Sequence, residues 1–189
     1  MDQPQNKITE TAETKQAAKP IRIAILLPTN AYFMSGIRDF TLSFIKNATH
    51  FSEQWAFRFQ SIVDELCNNA IEYGSSPGQD IKLTLTYYPV EETMEIITED
   101  TGTAPQKKTA DEIKKLIEER RKPGYIHTGI RGRGLSNIVT NWSDSVEIKD
   151  IPGAGIMIKV TKKVTEQERQ ETSQQTSSGA QTPTHVFLT

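Results

Sequence analysis

"IKLTLTYY", residues 81–88, decides the fold class. Ile81, Leu83, Leu85 and Tyr87 fall on one face of an extended chain, and Lys82, Thr84 and Thr86 on the other. Successive side chains of a strand point to opposite faces, so this segment reads as a strand with one face against a core. "TMEIITED", residues 93–100, follows the turn "PVEE" and reads as its hairpin partner. The same alternation returns near the end of the chain. Val146 and Ile148 oppose Glu147 and Lys149 in "SVEIKD", and Ile156, Ile158 and Val160 oppose Lys159 and Thr161 in "GIMIKVTKK". A parallel, doubly wound sheet is buried on both faces and reads as continuous apolar runs. These strands do not, which disfavours a Rossmann fold. The expected class is α/β: a two-layer sandwich with a mixed, mainly antiparallel sheet and helices on one face.

Outward from this hairpin the helices are legible by period. "IRIAILL", residues 21–27, is a further strand ended by Pro28. Asn30 is placed to cap a helix over about 31–46, whose apolar positions are Phe33, Ile37, Phe40 and Phe44. Ser52 caps the next, with a stripe running from Trp55 through Phe59, Ile62, Val63, Leu66 and Ala70 to Tyr73. Gly74 to Gly78 end it. Thr109 and Glu112 form a capping box opening a helix over 109–122, with Arg120, Arg121 and Lys122 in its last turn. A shorter helix is expected over 135–142. The folded domain is then residues 20–164. Residues 1–19 are polar and aperiodic, and 165–189 begin with a Gln-, Ser- and Thr-rich run, so both are expected to be flexible tails.

Composition removes several function classes. The 189 residues carry a formal charge of −2, a balance in which nothing suggests a nucleic-acid surface or a polybasic membrane patch. The longest apolar run, "IAILL", is too short to span a bilayer, and no secretory signal is visible at the N-terminus. A cytoplasmic location is expected. The single cysteine, Cys67, allows neither an internal disulfide nor a cysteine zinc site, and is expected to be a packed helix residue. None of the three histidines lies in a convincing phosphoacceptor helix: His50 is in an interhelical loop, His127 just before a glycine loop and His185 in the tail.

Three short motifs carry chemistry. In "VDELCNNAIEYG", residues 63–74, Glu65 and Asn69 are neighbours four residues apart at the edge of the apolar stripe. Polar groups at that rim need partners. An amide oxygen and phosphate oxygens suit Mg²⁺, and a carboxylate beside them can accept a proton from a nucleophile. In "EDTGTAP", residues 99–105, Asp100 ends a strand, where a carboxylate can accept from an exocyclic amine such as adenine's; Gly102 lets the chain turn beside it. "GIRGRGL", residues 129–135, has three glycines with Arg131 and Arg133 between them ahead of a helix, which suits an anion. Each also has an ordinary reading: a solvated boundary acid, a plain Asp-Gly turn, a flexible linker.

Taken in order, the three motifs resemble the GHKL superfamily of ATP-binding domains, named for gyrase, heat-shock protein 90, histidine kinases and the mismatch-repair ATPases. The resemblance covers about residues 20–164, with the three stretches standing for its N box and its two glycine boxes. It is most similar to the bacterial anti-sigma-factor serine/threonine kinases: a small domain, with a strand and helix ahead of "FRFQSIVDELCNNAIEYG". It implies a Bergerat-type ATP-binding fold with ATP and Mg²⁺ as cofactors. Asn69 is then the Mg²⁺ ligand, Glu65 the general base and Asp100 the reader of the adenine amine. Gly102, Gly132 and Gly134 are lid and phosphate-loop glycines, and Arg131 and Arg133 are phosphate candidates on charge and position. The implied partners are an anti-sigma-factor antagonist as substrate and a sigma factor or other regulator as client, with a homodimer common in such proteins. The competing class is a non-catalytic module whose partner surface responds to ATP. Two departures stand out. Ile156 follows Gly155 where a threonine is usual, and Thr103 and Ala104 follow "DTG" where a second glycine is common.

Overall fold

The computed structural model describes residues 18–122 and 134–166. β1 (Ile21–Pro28), β2 (Asp80–Tyr88), β3 (Thr93–Glu99), β4 (Ser145–Asp150) and β5 (Ile156–Lys163) form one sheet in the order β1-β2-β3-β5-β4. All four pairings are antiparallel, so the sheet is not mixed as expected but wholly antiparallel. The hairpin β2–β3 sits at its centre, and the alternation of "IKLTLTYY" sets its register. Leu83 faces Thr98 and Leu85 faces Ile96, while Ile96 faces Val160 on β5. One face therefore carries Ile81, Leu83, Leu85, Tyr87, Met94, Ile96 and Val160, all essentially without solvent contact.

Two helices cover that face. α1 (Met34–Ala48) and α2 (Glu53–Asn69) pack on each other and contribute Phe44, Ile45, Trp55, Phe59, Ile62, Val63 and Leu66 to the same core. Each such side chain stabilises the fold by about 1.5–3 kcal/mol relative to exposure. Ser52 caps α2 by accepting the Trp55 N–H at 3.4 Å. The opposite sheet face is held by cross-strand ion pairs, Lys82–Glu99 at 2.6 Å and Lys159–Glu147 at 2.9 Å among them. Thr84 and Thr86, read as the solvent side of β2, are nonetheless buried at 1% and 4% exposure. They occupy an inner strand, flanked by Ala24 and Arg22 on β1 and by Ile97 and Glu95 on β3.

Two local expectations are corrected. The segment after β1 does not enter α1 directly. The Asn30 side chain accepts the Tyr32 N–H at 2.9 Å and caps a 3₁₀ turn, Ala31–Phe33. Three residues per turn rotate Phe33 off the α-helical stripe, leaving it 45% exposed. At the other end, α2 widens into a π turn, Ala70–Gly74. The extra residue per turn swings Tyr73 out of the stripe, so it is 43% exposed rather than packed.

α3 (Ala110–Arg120) and the short α4 (Gly134–Asn137), which continues as a π turn over Ile138–Trp142, lie in the connection from β3 to β4. β4 takes the outer edge and β5 returns beside β3. That connection brings Gly134 and Leu135, the described part of the third motif, to the end of α2, where the first two motifs meet.

Candidate nucleotide site

Glu65 and Asn69 leave the last turns of α2 half-buried, pointing into a cleft of about 870 Å³. The Asn69 amide Nδ2 donates to Glu65 Oε1 at 2.9 Å. This bond fixes both groups and decides the amide's use. With Nδ2 committed to the carboxylate, Oδ1 is the atom left for a hard cation. Among the described residues no cluster of three or more His, Cys, Asp or Glu could cage a metal. One protein oxygen completed by phosphates and water is how Mg²⁺ is commonly held, so the donor set fits that ion.

The π turn brings Gly74 against Asp100 on the far side of the same cleft. Asp100 Oδ1 accepts from the N–H of Gly102 at 2.9 Å and of Ile156 at 3.1 Å. A Cβ on Gly155 would overlap Oδ1, and one on Gly74 would overlap the carboxyl carbon and Oδ2. The two glycines let backbone close tightly around the carboxyl. They leave Oδ2, on the Gly74 side, as the free acceptor. Burial pushes the Asp100 carboxyl above the usual aspartate range; the two N–H bonds and the charge of Lys107 pull it partly back.

The loop after β3 is stitched to the end of α2. Gly74 O accepts from Thr103 N at 3.1 Å, Thr103 Oγ1 accepts from Ser76 N at 2.8 Å, and Ser75 Oγ accepts from Thr101 N at 3.1 Å. Gly102 within it has φ of +63°, a conformation that a side chain would strain. Thr103, one of the two residues that follow "DTG", thus holds the loop in place through its hydroxyl and its N–H.

Gly134 opens α4 directly against Glu65: a Cβ there would overlap the Glu65 carboxyl carbon and Oε2. Glu65, Asn69, Asp100, Gly102 and Gly134 therefore line one cleft. Arg131, Gly132 and Arg133 lie outside the described residues, as does His127. Ile156 lines the cleft, and its N–H, not a hydroxyl, bonds Asp100.

The family model for the histidine kinase-like ATPase domain matches residues 27–162. The chain belongs to this family. A search of curated proteins returns no match. Membership makes this an ATP-binding domain, and the five-stranded antiparallel sheet backed by helices is consistent with the GHKL ATP-binding fold. No helix among the described residues is long and apolar enough to cross a membrane.

Other parts of this ATPase-type cleft escaped sequence reading. Lys107 and Lys108 lead into α3 along its wall, and Ile113, Leu116 and Ile117 roof it. Asp150 on β4 accepts the Ala110 N–H at 3.0 Å, adding a second cap to α3 beyond the Thr109–Glu112 box. The 113/116/117 spacing was the available signal for the roof; nothing local marked Asp150.

Proposed function

We propose that the chain is an ATP- and Mg²⁺-dependent protein serine/threonine kinase of the anti-sigma-factor type. The observation that carries this reading is the hydrogen-bonded Glu65–Asn69 pair facing Asp100 across one cleft. Asp100 Oδ2 accepts from the adenine amine, and the apolar roof and Ile156 enclose the base. Asn69 Oδ1 holds Mg²⁺, which when bound neutralises phosphate charge. Glu65 takes the proton from a partner's serine or threonine hydroxyl as its oxygen bonds the γ-phosphorus; the bond to the bridging oxygen breaks and ADP leaves.

A second opening favours transfer to a protein over simple nucleotide capture. Glu65 and Gly134 also line a shallower hollow of about 290 Å³ with Arg38, Gln60, Ser61 and Asp64. The carboxylate is thus approachable from the protein surface as well as from the nucleotide cleft. The acceptor is an anti-sigma-factor antagonist, the held client a sigma factor or similar regulator, and the working form a homodimer in the cytoplasm. Incubation with γ-labelled ATP and an antagonist protein tests this. Label transfer that Glu65→Gln abolishes while ATP binding persists supports the kinase. ATP binding with no transfer by the wild type sinks it in favour of the non-catalytic module.

A further inference from the structure

We infer that α3 roofs the nucleotide along its length and that Arg120, at the far end of this helix, contacts the phosphate chain. The inference rests on the ATP reading above and adds a residue to it.

The start of α3 is pinned at the base end of the cleft. Ala110 N–H donates to Asp150, Asp150 pairs with Ile156 across β4–β5, and Ile156 donates its N–H to Asp100 Oδ1 while its carbonyl accepts from the Asp100 N–H. Eleven helical residues rise about 15 Å along the axis. The last turn therefore lies well away from Asp100, and Arg120 still lines the cleft that Glu65 and Asn69 also line, while α3 contacts α4, which Gly134 opens against Glu65.

The spacing identifies which face looks inward. Ile113, Leu116, Ile117 and Arg120 stand at i, i+3, i+4 and i+7, one stripe of the helix, and all four line the cleft. Three apolar side chains cover the base and sugar region, and the fourth position changes to a guanidinium. A basic last turn is also favoured by the helix dipole, and Arg121 and Lys122, exposed just beyond α3, add to the charge at that end. Arg120 alone of the three is half-buried and on the inward stripe. A planar guanidinium fork suits phosphate oxygens better than a point charge does. Lys107, by contrast, lies close enough to Asp100 for its charge to act on that carboxyl, and so belongs to the base end.

The test is calorimetric titration of the full chain with adenosine, ADP and ATP at saturating Mg²⁺, comparing wild type, Arg120→Gln and Arg120→Lys. Arg120→Gln is expected to weaken ATP by about tenfold or more while leaving adenosine unchanged, with ADP between. Arg120→Lys is expected to recover part of that loss. Equal weakening of all three ligands would make Arg120 a structural residue and overturn the inference, as would an unchanged ATP affinity in Arg120→Gln. Failure of the wild type to take up ATP would instead overturn the site reading itself.

Discussion

Replacing Asp100 by asparagine separates folding from base recognition at a single atom. In the wild type, Oδ1 accepts from two N–H groups, of Gly102 and Ile156, and Oδ2 lies beside Gly74; Asp100 and Gly74 both line the cleft. The asparagine oxygen can keep both N–H bonds; the charge assistance they lose, about 1 kcal/mol, is offset by removing the cost of burying the charge, so stability should change little. Its nitrogen then replaces the free acceptor and presents a donor to the adenine amine, itself a donor. An unpaired buried polar group costs about 1–3 kcal/mol, so ATP affinity should fall by roughly 5- to 150-fold. Alanine at the same position would orphan both N–H groups and cost about 2–6 kcal/mol of stability as well. Thermal melts and calorimetric ATP titrations of the two variants read these effects apart. An asparagine variant that folds and binds ATP like the wild type would refute the assignment of Oδ2 as the base reader. Acid titration gives the same answer independently. The binding form is the carboxylate and its folded-state value is raised, so affinity should be lost as pH falls through a point above an ordinary aspartate's. The sign for stability is the reverse: the folded state binds this proton more readily than the unfolded chain, so acidification relieves the cost of burying the charge. The asparagine variant should show no such titration.

Gly134→Ala should displace the Glu65 carboxyl, which occupies the space a Cβ would need. Phosphoryl transfer is expected to drop about 100-fold, as for a misplaced catalytic group, with ATP affinity within a few-fold of wild type; single-turnover transfer and calorimetry check the split. Asp150→Ala removes the cap that β4 lends to α3 and should cost about 1 kcal/mol, with amide exchange in 110–113 rising more than in the sheet. Cys67 is fully buried and its thiol is pushed up to about 12 by burial and the nearby Asp64 charge. A disulfide reagent at pH 8 should leave it unmodified in the native protein and titrate one thiol in denaturant.

The chain's periodicities determine most of the architecture. Alternation in 81–88, 93–100, 145–150 and 156–163 marks four one-sided strands, and a side-chain period of two admits one register per buried face. Helical spacing and the Ser52 and Thr109 caps locate α2 and α3, because caps and stripes are local chemistry. What a linear pattern cannot carry is contact between distant segments. That Gly74 ends a helix is legible, yet its clasp on Asp100, twenty-six residues on, depends on a π turn that propensity does not signal. The fit of Gly134 on Glu65 and the reach of Asp150 to α3 likewise exist only once the crossover folds back. Local hydrogen bonds and burial periods are written in neighbouring residues. A cleft is written in close approaches between segments far apart in the chain, and those depend on where the packed core leaves room for backbone to meet a carboxylate.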